Sequence, residues 1–394
     1  MPAFPAVSRA RFRGRRNWLG SALVLLAAGA AGCAETSELY DVPSQLDEEP
    51  APRYAAAVDS TRVAIRKFVK SLNLPGASVA VGKGGQLVYA EAFGWADMSS
   101  EVLATPRTLY PVGSISKSFT ATAAGLLYER GQLDFNVPIQ TYLPDFPEKQ
   151  WPITTGQLMG HIAGVIRSSG TAEMLRQERC ENARAATKAV EKDTLQFEPG
   201  TQWRYSNFGF QLVGAVVEAA AGEPYLEFMD REVFTRAGMH MTVPDLGEES
   251  DEVVKYDRAT FGTLRRGQEI DMSCPMAAGG FLSTPTELVR FGYAMLNGEL
   301  LDSATLALFW TPQRLKSGAP TQYGYGWQIS TVSLGGRDEA ANTRLIGHGG
   351  SVLGGQAALR IYPDEDLVVA VMINASGDVS TIARDVSRFF RDVR

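Results

Sequence analysis

The chain has 394 residues, 45% of them hydrophobic and 21% charged, a balance that suits a folded protein and excludes a disordered one. Its formal net charge is −6, and removing the five arginines that precede residue 34 takes it to −11. So acidic a body is poorly suited to phosphate backbones, which excludes nucleic acid as a partner.

The N-terminus reads as an export signal. Arg9, Arg11, Arg13, Arg15 and Arg16 lead into an apolar run from Trp18 to Ala31, and small residues precede Cys33. The run is too short for a membrane-spanning helix. A cysteine directly after small residues fits a lipoprotein signal, in which Cys33 is acylated and becomes the new N-terminus. The alternative is an ordinary cleaved signal with an incidental Cys33, and Arg15-Arg16 also fits a twin-arginine route. The expectation is an exported chain, anchored by lipid to the bacterial membrane and facing the periplasm or exterior. Residues 34–53 are acidic and proline-bearing, the composition of a flexible tether.

From Tyr54 to Lys70 the apolar spacing predicts a helix, with Val58, Ile65 and Val69 on related faces. Two β-rich runs, Ala77–Gly82 and Gln86–Phe93, then flank Lys83-Gly84-Gly85, a hairpin signature. That glycine cluster lies between strands and lacks the spacing of a phosphate-binding loop. After Pro111 the pattern turns helical as far as Gly131, and residues 130–275 alternate helical stretches with proline-glycine breaks. Strands return at GGFLST, at residues 323–329, and at Gln356–Tyr362 and Leu367–Asn374. A last amphipathic helix is expected over Val379–Val393. This order predicts an α+β fold: one antiparallel sheet flanked by terminal helices over residues 54–394, with an α-rich insert over about 116–278. Cys180 and Cys274 can pair in an oxidising compartment or remain two buried thiols.

Three short motifs carry the chemistry. In PVGSISKSFT, Ser114 stands at a helix N-terminus, where free N–H groups favour developing negative charge. Lys117 follows one turn later on the same face, within reach to hold the hydroxyl or take its proton. By itself this motif also fits a serine that merely caps a helix. In WRYSNFGF, Tyr205 and Asn207 sit at a loop-to-helix junction. If Lys117 is near, its charge favours the phenolate of Tyr205, making it a general base, while Asn207 offers an amide for a substrate carbonyl. In LIGHGGSVLGG, His348 opens a glycine-dense strand edge, and the N–H groups of Ser114 and Ser351 could together form an oxyanion hole beside Gly350. Three histidines, none at metal-ligand spacing, give a zinc site no support. No Gly-x-Ser-x-Gly elbow is present, which disfavours an ordinary α/β-hydrolase.

Serine-x-x-lysine, tyrosine-x-asparagine and a basic residue-x-glycine, in that order, resemble the signature of the penicillin-recognising serine hydrolases. PGASVAV, FEPGTQWRYSNFGF, AAGGFLSTPTELVRF and GHGG resemble their class C β-lactamase-related branch. Residues around 133–165 and 279–298 look most like the mitochondrial serine β-lactamase-like group and its bacterial relatives. The resemblance implies the β-lactamase/transpeptidase-like fold and a Ser114 acyl-enzyme, with Lys117 and Tyr205 transferring protons. It implies substrate or oxyanion contacts by Asn207, His348, Gly350 and Ser351. No metal or organic cofactor is implied. The partner is a small-molecule or peptide substrate, and self-assembly is a further possibility because the mitochondrial relatives form filaments. Two positions depart from the pattern. His348 replaces the lysine of true β-lactamases, which favours peptidase or esterase chemistry over β-lactam hydrolysis. GHIAG at 160–164 retains His161, read as structural, but loses two hydroxyl residues.

Overall fold

Lys83-Gly84-Gly85 turns the chain as its composition requires. Both glycines have positive φ, 65° and 76°, the pair of left-handed residues that a two-residue hairpin turn needs. The turn joins β2 (Gly76–Lys83) to β3 (Gln86–Asp97). A second expected hairpin joins β12 (Gly355–Tyr362) to β13 (Leu367–Ile373). The structure, a computed structural model, describes residues 42–166, 179–259, 263–335 and 342–393.

The two hairpins lie side by side, because β13 pairs with β2. They centre an antiparallel sheet of order β1-β3-β2-β13-β12-β11-β10, with β1 at Ser44–Leu46, β10 at Gln328–Ser333 and β11 at Asn342–Val352. Strands from the two ends of the chain thus complete one sheet, and the segment between them is an insertion. β13 shows why the sheet is central. Its run LVVAVMI is buried throughout, Leu367, Val369, Val371 and Ile373 on one face and Val368, Ala370 and Met372 on the other. The first face is covered by α1 (Ala55–Ser71) and α10 (Val379–Arg391), through Val58, Ile65, Val69, Ile382, Val386 and Phe390. Each such side chain contributes about 1.5–3 kcal/mol of burial. A charged residue at Val371 would therefore open this layer.

The insert packs behind residues 285–296, which cover the opposite face. Its helices are α2 (Ser116–Glu129), α3 (Thr155–Met159), α4 (Ala183–Ala186), α5 (Asn207–Ala221), α6 (Tyr225–Phe228) and α7 (Met276–Gly279). α8 (Pro285–Leu296) and α9 (Ser303–Phe309) follow. α2 is buried from Ser116 to Leu127, so it packs on all sides rather than along one stripe.

Four expectations are corrected. Residues 44–46, read as tether, form edge strand β1, and Arg66 of α1 reaches back to Ser44 Oγ at 2.9 Å; residues 34–41 lie outside the described residues. GGFLST does supply a strand, β9 (Phe281–Ser283), but in a separate small sheet with β5 (Tyr110–Pro111) and β6 (Val243–Pro244). Residues 323–327 are not a strand. Gly326 there has φ 80° and lies so close to α2 that a Cβ would sit 2.9 Å from Lys117 O, so β10 starts only at Gln328. The helix expected to begin at Ser114 begins at Ser116, after a 3₁₀ turn over Gly113–Ile115.

Candidate active site

Ser114 is the half-exposed member of a run that is otherwise buried from Thr108 to Leu127. β5 leads into it, pinned by Val112 N–H donating to Phe281 O at 2.9 Å. Gly113 then adopts φ 50°, a conformation glycine reaches without cost, and this lifts Ser114 out of the strand line. Lys117, fully buried one turn on, places Nζ 3.1 Å from Ser114 Oγ and donates to Ala278 O at 2.6 Å. Ala278 belongs to α7, which is held against α2 by Thr120 Oγ1 donating to Ala277 O at 2.7 Å. A buried lysine needs such partners, and here they also aim it.

Tyr205 arrives on the extended segment before α5. Its hydroxyl faces the Ser114 side chain, and Lys117 Nζ lies 4.9 Å from its ring centroid. Burial pushes the Tyr205 phenol up, and Ser114 offsets only part of that rise. The expectation of a ready phenolate is corrected accordingly: Tyr205 keeps its proton at neutral pH. Asn207 opens α5, half-buried, two residues beyond Tyr205. Ser206 between them caps the helix, accepting from Gly209 N–H at 3.0 Å.

β11 forms the opposite wall. β10 begins at Gln328, opposite Gly347, so among the described residues His348–Val352 have a ladder partner, β12, on one edge only. The other edge meets the Ser114 turn. A Cβ on Gly350 would lie 1.8 Å from Val112 O, and one on Gly113 would lie 2.6 Å from Ser351 N. The backbone N–H of Ser351 is therefore beside the residue preceding Ser114, as an oxyanion hole requires.

His348 departs from its expected role. It is 1% exposed, with Nδ1 2.6 Å from Gly349 O and Nε2 2.7 Å from Tyr323 Oη. A carbonyl only accepts, so Nδ1 carries the proton and Tyr323 donates to Nε2. Burial, reinforced by the Lys117 charge, holds the imidazole down to about 3. A neutral ring with both nitrogens engaged offers nothing to a substrate carboxylate; it braces β11 instead. Tyr323 has no local signal in the sequence, because its partner lies 25 residues away across the cleft.

Cys180 and Cys274 form a disulfide, resolving the open alternative and fixing the chain beside Pro275, which precedes α7. Among the described residues no group of three His, Cys, Asp or Glu side chains could hold a metal. Cys33 lies outside them.

Residues 62–389 match the β-lactamase family model. The chain belongs to the β-lactamase family. It is 27% identical over 414 residues to the human mitochondrial serine beta-lactamase-like protein LACTB, covering 81% of this chain and 75% of that protein. A D-aminopeptidase of Brucella anthropi is 26% identical over 336 residues, covering 81% and 61% of the two chains. The octameric penicillin-binding protein homologue from Pyrococcus abyssi superposes with a TM-score of 0.71 at 25% identity, over 83% of this chain and 76% of that one. This β-lactamase-family chain is thus placed among serine hydrolases with a mixed fold built on an antiparallel sheet.

Proposed function

We propose that the chain is a serine acyl hydrolase that cleaves amide or ester bonds through a Ser114 acyl-enzyme, with short peptides bearing D-residues as its substrate class. The observation that carries this is the contact of Ser114 Oγ with Lys117 Nζ at 3.1 Å, with the Tyr205 hydroxyl facing the same side chain. In the form that reacts Lys117 is the neutral amine, and Ser114 Oγ attacks the carbonyl carbon as its proton passes to Lys117 Nζ. The developing oxyanion is met by the N–H groups of Ser114 and Ser351. Tyr205 gives its proton to the departing nitrogen or oxygen and is restored by the proton held on Lys117. Water then repeats the sequence on the ester and frees Ser114. Asn207 orients the substrate amide.

The D-aminopeptidase relative supports the substrate class. The neutral, buried His348 supports a peptidase or esterase over a β-lactamase, because no imidazolium seats a carboxylate. Intact-protein mass after treatment with a fluorophosphonate and, separately, a penicillin tests the mechanism, with Ser114→Ala as control. A single adduct lost in the variant is expected. A folded wild-type chain that takes up neither reagent refutes the acyl-enzyme. Rapid decay of the penicillin adduct would favour the β-lactamase reading.

Export and lipid attachment at Cys33 belong to the same proposal. Mass analysis of the mature N-terminus in a bacterial host tests them, and an unmodified Cys33 in a soluble chain refutes the anchor. Self-assembly draws support from the octameric neighbour and is tested by mass photometry across concentrations.

A further inference from the structure

The segment that carries Tyr205 is held from both sides by one residue. His161 O accepts from Arg204 N–H at 2.8 Å, and His161 Nδ1 accepts from Ser206 N–H at 3.2 Å. These are the two residues that flank Tyr205. The His161 ring also lies 4.3 Å, centroid to centroid, from the ring of Tyr205 and 4.6 Å from that of Tyr323. Tyr323 in turn holds His348 at the oxyanion strand.

Three further features mark this residue. It is 2% exposed, and because Nδ1 is an acceptor its proton sits on Nε2, which has no hydrogen-bond partner among the described residues. Its φ is 59°, a left-handed conformation that costs a non-glycine residue energy. Burial and the Lys117 charge hold it well below the usual histidine range, so it stays neutral. Strain and an unmade hydrogen bond at one buried side chain exceed what packing alone requires. The left-handed backbone is what lets a single residue turn both its carbonyl and its ring nitrogen toward the 204–206 segment.

We infer that His161 is a positioning residue, a buried clamp that fixes the Tyr205 hydroxyl against Ser114 and couples it through Tyr323 to the oxyanion strand. The inference rests on the reading of Tyr205 as the proton-transfer partner of Ser114.

The test is a double-mutant cycle on Ser114 phosphonylation by an alkyl fluorophosphonate, read by intact mass. His161→Gly accepts the positive φ but removes the Nδ1 acceptor and the ring, and a misplacement of about 1 Å lowers the rate by about 10²-fold. In a Tyr205→Phe chain the same substitution is expected to add no further loss, because the clamp acts only through the lost hydroxyl. His161→Asn, which tolerates a left-handed backbone and supplies an amide oxygen, is expected to recover part of the rate. Should His161→Gly not fold, the Asn variant carries the cycle. Equal fold-losses in the wild-type and Tyr205→Phe backgrounds would overturn the inference, as would a folded His161→Gly chain reacting at the wild-type rate. A Tyr205→Phe chain at full rate would overturn the role of Tyr205 and this inference with it. A reduced rate in Tyr205→Phe beside an unaffected His161→Gly would overturn the clamp alone.

Discussion

One methyl group placed on Gly350 probes the geometry on which the proposed chemistry depends. Its Cβ would stand 1.8 Å from Val112 O, 2.8 Å from the same carbonyl carbon and 3.3 Å from Gly113 Cα. Cβ atoms in real structures keep at least 3.0 Å from their neighbours, so the two chains must part by at least about 1.2 Å. Both sides of the contact are backbone, and no rotamer change relieves it. The displacement separates the Ser351 N–H from the Ser114 turn. Misplacing a reacting group by about 1 Å costs about 10²-fold in rate, and losing one oxyanion donor costs about 10²–10³-fold, or ~2.7–4 kcal/mol. Gly350→Ala is therefore expected to lower kcat/KM for a p-nitrophenyl ester by about 10²–10³-fold while the thermal transition persists. Gly349→Ala is the matched control, because its Cβ would meet only Ala357 O, at 4.0 Å. A Gly350→Ala chain as active as the Gly349→Ala control would refute the assignment of this contact as the one that sets the oxyanion geometry.

Three other outcomes follow from the same contacts. Lys117→Met removes the partner of Ser114 Oγ and leaves Ala278 O without its donor. It is expected to slow phosphonylation by about 10²–10⁴-fold and to lower stability by about 1–3 kcal/mol in a urea titration. His348 is held at about 3 against 6.5 in the unfolded chain, so the unfolded state binds the proton first on acidification. Its contribution is complete above pH 6.5 and is lost as pH falls from 6.5 toward 3. His348→Gln should flatten the fall of Tm over that window relative to wild type, and parallel profiles would contradict it. Burial pushes Glu287 up, which works in the opposite sense, but that carboxylate is common to both chains and cancels. Reduction, or Cys180→Ala with Cys274→Ala, opens a link between residues 94 apart, and a cost of about 2–5 kcal/mol is expected in guanidinium titrations with and without reductant.

Much of this molecule was legible in contiguous sequence. Gly84-Gly85 between two β-rich runs marks its hairpin, because two left-handed residues are affordable only there. The unbroken apolar run of β13 marks a strand buried on both faces. Ser114 and Lys117 share one helical turn, so their approach is set by a three-residue spacing. Other features depend on partners brought together only by the fold. β9 reads as a strand, but its sheet is decided by β5 and β6, both far earlier in the chain. The spacer composition around residue 44 gives no sign of the free edge of β3 that recruits β1. Tyr205 reads as a phenolate if Lys117 is near, yet burial raises its phenol and outweighs the lowering by Ser114. His348 reads from its position as a substrate contact, and only enclosure beside Tyr323 makes it a buried brace of β11. Local spacing determines which groups can face one another within a turn or hairpin. Desolvation and long-range hydrogen bonding depend on what the rest of the chain packs around them, and these decide the protonation and the task of each group.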